Sequence, residues 1–546
     1  MLSSFTKLLK VKTPAILILA GVLILMLSGC GTSDSERLKN ARVDFIKDDY
    51  PAAEKELYSP EVFKHAENRF VHYSALGSIA MSSGEYEKAI YFFMKARDLV
   101  NGLRSSHSGF SWFSTDYLSN GIEYSYLHYF LVICNDLLAE EGKTPAWSTP
   151  EIKDEKGIVL VPAQNFPARS YTPRDISDFH QKAHAELLAW DTHLQNLKNS
   201  DSHNLYRDDL WARLLASYIH AQSDDNSEKR TSELLAEDAL KILQTDFKSY
   251  PSDAANDPGI TALVEKLKKR DPSHSLFVLE AGVMDQYKIK RFVIGLSTLF
   301  KNIKDPRTRS LVEQIGIRVI LLTAPEFGLV LVSGAVAGTI SGSSPDEDTE
   351  YDGPPQQFSD AIDRSFGFEI QFPTLRSPPP DTKVTLDLNG QQFPLPVVSP
   401  LQEIISSDLK NRENTDMFQE AMTVGLQYLG ALVPAIIAYK SVSNRDNWGF
   451  VKKLAIVSGF YVAKKVIDGA HRPDLRSWGY LPKLIAADVL TVPPGNYHAR
   501  VTIRNAFGNF EKDLGEVQLG DSFHALVRKR IGEVSILKGL PTRPIR

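Results

Sequence analysis

The chain has 546 residues, 43% of them hydrophobic and 24% charged, with a net charge of −5 and a pI near 6.3. That composition excludes a disordered or fibrous chain, and no basic field points to nucleic acid. With only two cysteines, a disulfide-stapled scaffold is excluded as well.

Lys7, Lys10 and Lys12 form a basic start, followed by an uncharged apolar run from Pro14 to Leu27 and then Leu27-Ser28-Gly29-Cys30. A basic stretch, a short apolar stretch and small residues make an export signal rather than a spanning helix, which needs ~20 apolar residues. Leu-Ser-Gly-Cys also resembles a bacterial lipobox. That resemblance implies cleavage before Cys30 and acylation of its thiol, so residues 1–29 are expected to be a lipoprotein signal peptide. Gly31, rather than Asp, follows the cysteine, which by the same resemblance favours the outer membrane, and a place on its periplasmic face is the expectation. The remaining cysteine, Cys134, lies in an apolar helical stretch and is expected to be buried and unpaired.

Residues 30–270 read as helical. In Arg69–Val100, Leu76-Gly77, Gly84, Tyr86, Ala89, Phe93 and Ala96 take spacings that resemble a tetratricopeptide repeat. Gly77, Ala89 and Ala96 allow close helix packing, Gly84 supplies the turn, and Tyr86 and Phe93 fill the groove. Tyr50 and Ala53 repeat Tyr86 and Ala89 at an offset of 36 residues. Ile122–Leu138 reads as another buried helix, and Trp211, Leu214 and Tyr218 share one face of a later one. A tetratricopeptide-like solenoid is the expectation, with an irregular bundle as the alternative.

Residues 271–366 are expected to be an apolar helical connector and a polar loop. Val319–Ile340 holds one charge, Glu326, and Ala421–Tyr439 holds none. Both are broken by proline (Pro325, Pro434) and rich in small residues, so packing inside the protein is expected, through Gly334, Gly425 and Gly430, with membrane contact as the alternative. Residues 367–546 are expected to be β-rich. Val384, Leu386 and Leu388 alternate before Asn389-Gly390, a strong hairpin signal, and Tyr497, Ala499, Val501 and Ile503 alternate near the end. A small antiparallel sandwich follows, split by helices inserted around 400–470. The fold class is thus α+β.

No motif marks an active site. His180 and His184 stand at i, i+4 on a helix, but without the His-Glu-x-x-His pattern or a third ligand set by spacing they are read as a solvated face. Asp346, Asp348, Glu350 and Asp352 alternate as a calcium loop would, yet Tyr351 and Gln357 stand where Gly and Glu are needed. Ser297 lacks the glycine of a nucleophile elbow. No metal, cofactor or catalytic residue is assigned.

The run Arg472–Val501 is distinctive: Asp474, Arg476, Ser477, Trp478, Leu481-Pro482 and Pro493-Pro494-Gly495 with Tyr497 stand in fixed order. With the lipobox and the repeat-like helices, it resembles a family of large bacterial lipoproteins with tetratricopeptide-like helices and a β-rich end. The resemblance implies architecture and location, and no catalytic residues. Arg476 and Trp478 are candidates for a structural lock or for partner binding. The function expected is a non-enzymatic envelope scaffold, anchored in the membrane through lipid and binding a protein partner. The alternatives are a membrane-inserted secretion or export component, a regulator of a cell-wall synthase, and an envelope hydrolase.

Overall fold

The computed structural model describes residues 36–106, 121–154, 156–199, 205–223, 225–245, 249–250, 256–269, 274–294, 349–350, 368–379, 381–441, 473–519 and 526–537, with residues 456, 459, 462–463 and 466–467. Cys30, Ser297 and the Val319–Ile340 stretch lie outside them, as does the Asp346 loop except for Thr349 and Glu350. The described residues are mixed α and β, helices mostly first and sheets after.

Helices α1 (Glu36–Ile46) and α2 (Tyr50–Leu57) pack as a pair, and a short α3 (Pro60–Lys64) leads to the pair α4 (Arg69–Ser82) and α5 (Tyr86–Ser106). The closing bonds of the two pairs' turns recur at the 36-residue offset. Asp48 and Gly84 hold positive φ, 63° and 78°. Asp49 N–H bonds Asp44 O at 3.0 Å, as Glu85 N–H bonds Ala80 O at 2.8 Å. Asp48 N–H to Phe45 O (3.1 Å) repeats as Gly84 N–H to Met81 O (3.2 Å). This is the Schellman closure, in which a left-handed residue ends a helix.

Helix α6 (Gly121–Glu141) follows and is buried on every side from Ile122 to Ala139, Cys134 included. A helix buried on every side belongs at the centre of a core, and its Glu123, His128 and Asp136 are buried with it. Then comes a departure from the expected all-helical stretch. Six short strands, β1 (Lys143–Thr144), β2 (Trp147–Thr149), β3 (Ile152–Lys153), β4 (Val159–Val161), β5 (Gln164–Phe166) and β6 (Arg169–Ser170), pair β1 with β6, β2 with β5 and β3 with β4. They are too short for two-residue alternation to show in the sequence. Helices α7 (Pro173–Asn199), α8 (Leu210–Ala221), α9 (Asn226–Thr245) and α10 (Pro258–Lys269) complete the helical layer.

The expected helical connector begins instead with strands β7 (His274–Ala281) and β8 (Lys288–Ile294). β9 (Thr349–Glu350) and β10 (Phe368–Thr374) flank β8. β11 (Lys383–Leu388) and β12 (Gln391–Leu395) form the expected hairpin, with Asn389 and Gly390 at φ 50° and 91°. β13 (Val397–Ser399) precedes the inserted helix α11 (Leu401–Ser441). After it come β14 (Leu484–Thr491), β15 (Gly495–Asn505), β16 (Gly508–Leu519) and β17 (Leu526–Ile531).

Two four-stranded sheets result, β13-β14-β7-β17 and β12-β11-β15-β16, and they bury a common apolar layer. The first is not wholly antiparallel, because β17 runs parallel to β7. Phe277, Leu279 and Ala281 of β7 face the second sheet, while Leu276 and Val278 join the helical core. With both faces covered, β7 shows a continuous apolar run rather than alternation, and such a run does not distinguish strand from helix.

Ala421–Tyr439 lies within α11, where Val424 and Tyr428 are buried and Pro434 sits inside the helix. Gly430 is exposed, with open space where a Cβ would stand, so it makes no close helix contact among the described residues. No helix among the described residues is long and apolar enough to cross a membrane.

Candidate functional site

The residues singled out near the β-rich end meet the helical layer at its centre. Segment 474–481 lies between the two helical pairs and the sheet. Trp478 is fully buried, its ring centroid 5.2 Å from that of Phe130, 5.7 Å from Phe93 and 6.3 Å from Phe70. Its indole N–H donates to Ser78 Oγ at 3.0 Å and its backbone N–H to the buried Glu123 carboxylate at 2.7 Å. Arg476 makes a two-pronged pair with Asp474 (2.9 and 2.6 Å) and donates to Glu67 O (2.9 Å) and Asn68 Oδ1 (3.2 Å). Tyr480 packs on Phe45 at 4.9 Å, and Arg42 donates to Gly479 O. The groove of the paired helices is therefore occupied by the chain itself. Both prongs of Arg476 and the polar edge of Trp478 are spent within the fold.

Beneath this segment, Glu280 of β7 is fully buried. It accepts two bonds from Arg528 (2.7 and 2.8 Å), one from Arg530 (2.7 Å) and one from the Tyr129 hydroxyl (2.8 Å). Burial alone would raise its pKa, but Arg528 and then Arg530 hold it below the usual carboxylate range. A buried charge survives only with this degree of pairing.

A second cluster lies across the helical layer. His180 and His184, expected on a solvated face, are both partly buried because α7 packs along α6 and beside α8. His180 Nδ1 stands 3.4 Å from the buried Asp136 carboxylate, which raises the His180 pKa. His184 turns towards α8. Its ring centroid is 4.8 Å from that of His220, edge to face, and burial, then the His220 charge, lowers its pKa. His220 Nδ1 in turn bonds the Glu228 carboxylate. One donor atom each from His184, His220 and Glu228 lie within 4.8 Å of one another. His220 is in the last turn of α8 and Glu228 in the first turn of α9, so a tight loop brings them together. His184 and His220 open onto a cleft of about 350 Å³ lined also by Leu187, Leu188, Trp190 and Leu235.

On the other side of α7, Glu186 is held by Arg97 and by His128 Nδ1 (2.8 Å) beside a shallower cleft of about 580 Å³. Leu188, 69% exposed, stands on the ridge between the two clefts.

Sequence reasoning found His180 and His184 but not their partners. Asp136, His220 and Glu228 come from three other helices, and only the eight-residue spacing of His220 and Glu228 was readable. Comparison with protein-family models, curated proteins and solved structures finds no match for the chain.

Proposed function

We propose that the chain is a non-enzymatic scaffold of the cell envelope, lipid-anchored at Cys30 on the periplasmic face of the outer membrane, that binds a protein partner through its helical layer. The tetratricopeptide-like reading of that layer is part of the proposal. Its support is the observation that carries the reading: two helical pairs repeat at 36 residues with the same turn bonds, around an aromatic-lined groove that holds an extended segment. Helix α6, buried all round, ends any regular solenoid there, so partner contact falls to outward surfaces such as the α7 ridge at Leu188. The lipobox-like Leu27–Cys30 supports the anchor. Five residues separate Cys30 from Glu36 at the start of α1, a reach of at most about 20 Å, so anchoring would keep the repeats close to the bilayer.

Photo-crosslinking in intact cells tests this. A crosslinking residue at Leu188 is expected to give discrete protein adducts, and one at the exposed Phe507 of the sandwich to give none. Cys30→Ser is expected to abolish acyl labelling and leave an unprocessed chain. Normal labelling of Cys30→Ser would end the anchor reading. Equal adducts, or none, at both positions would end the scaffold reading.

A further inference from the structure

We propose that His184, His220 and Glu228 form a binding site for one divalent transition-metal cation of the zinc class, joining α7, α8 and α9. Three donors from three helices converge, and their donor atoms already lie within 4.8 Å of one another. Four-coordinate zinc takes nitrogen and oxygen donors at about 2.0–2.2 Å, so donor atoms must sit roughly 3.3–3.5 Å apart. His220 and Glu228, now in hydrogen-bond contact, open by about 1 Å to admit the ion, and His184 closes by about 1 Å.

The donor set selects the metal class. Two imidazoles and one carboxylate suit zinc, cobalt or nickel, whereas magnesium and calcium prefer oxygen throughout. The ion takes the position between His220 Nδ1 and the Glu228 carboxylate, and the neutral imidazole then carries its proton on Nε2. The fourth position faces the cleft lined by Leu187, Leu188 and Trp190, where water or a partner's side chain can enter.

The purified full chain, kept in detergent and stripped with EDTA, is titrated with Zn²⁺ and with Co²⁺. The expected result is one equivalent of each, a visible Co²⁺ absorption band, and a thermal midpoint that rises with Zn²⁺. His184→Asn and Glu228→Gln, chosen to keep volume, should each weaken Zn²⁺ binding by about 100-fold or more while circular dichroism is unchanged. His65→Ala, at an exposed histidine outside the cluster, should leave the affinity as it was. Absence of stoichiometric Zn²⁺ binding overturns the proposal. So does unchanged affinity in a folded His184→Asn/His220→Gln double variant, because the bound ion would then lie elsewhere.

Discussion

The pairs α1–α2 and α4–α5 share a backbone turn and differ in what fills it. Where the second pair sets Gly77 against Phe93, the first has Ala41 and Leu57 at the positions 36 residues earlier. All four are buried. One pair uses a smaller residue on one helix and a larger one on the other, so the summed volume changes little. The exchange alters reach. Phe93 stacks on Phe130 and meets Trp478, which a leucine's shorter side chain would not do as a ring. The first pair meets the same segment through Phe45, which touches Tyr480. Phe45 and Met81 are themselves equivalent positions. Arg530 lies over the Phe45 ring at 5.1 Å, and Arg528 reaches Met81 O at 3.5 Å. Both arginines converge on Glu280. The two copies are thus fastened to the sheet at matching points, with side chains suited to different neighbours.

Removing the shared fastener should have the largest effect. Glu280→Gln leaves two guanidinium groups buried without a counter-charge, and an expected loss of about 3–5 kcal/mol is measurable by urea unfolding. The pH dependence carries a sign. The folded pKa of Glu280 is depressed below its unfolded value near 4.3, so its contribution is present above that value and lost as pH falls through the folded one. The acid limb of the wild-type stability profile should therefore flatten in Glu280→Gln, with no change of slope between pH 6 and 8. An unaltered acid limb would place the charge balance elsewhere.

Trp478→Ala should come next, at about 3–5 kcal/mol, the cost of emptying a large aromatic site whose indole N–H and backbone N–H are both satisfied. The substitution empties the groove of the second pair, so hydrogen exchange should rise in α4 and α5 more than in α1 and α2. Equal exposure of all four helices would mean that the pairs open as one unit.

How much of this was readable depended on how many faces an element buries. The hairpin at Asn389-Gly390 and the strand through Val501 and Ile503 bury one face each, so alternation and turn chemistry disclosed them. The helical pairs are legible through the 36-residue recurrence of their turn and packing residues, although α4 itself is buried on nearly every side. β7 buries both faces and shows no period, so this inner strand of the first sheet does not stand out in the sequence from an apolar helical connector. α6 was recognised as buried, yet its charged partners were not, because Glu123 and Asp136 look like surface residues until Trp478 and His180 arrive from 355 and 44 residues away. The distinctive Asp474–Trp478 run announced itself, but the groove it fills belongs to residues some four hundred positions earlier.

The volume exchange offers a direct test of equivalence. A Cβ on Gly77 would stand 2.5 Å from the Phe93 ring, so Gly77→Ala should cost about 1–3 kcal/mol through overpacking. Phe93→Leu restores the pairing found at Ala41 and Leu57. The double variant should therefore lose less than the sum of the single losses, by about 0.5–3 kcal/mol of coupling. Strict additivity would show that Phe93 is fixed by Phe130 and Trp478 rather than by Gly77, and the volume comparison would fail.

The smallest effect lies in the turn. Gly84 and Asp48 occupy the same left-handed position, and a Cβ at Gly84 would meet nothing within 4 Å. Any cost of substitution there is backbone strain, not crowding. Gly84→Ala should lose about 1 kcal/mol. Aspartate tolerates this conformation better than alanine, because its short carboxylate can bond locally, as Asp48 Oδ1 does with the Tyr50 hydroxyl at 3.1 Å. Tyr86 stands where Tyr50 does relative to the turn, so Gly84→Asp has the same partner within reach and should cost less than Gly84→Ala. Thermal unfolding of the two variants side by side decides the matter. If Gly84→Asp costs as much as Gly84→Ala, the turns agree in hydrogen bonds but not in environment, and the repeat extends to the backbone alone.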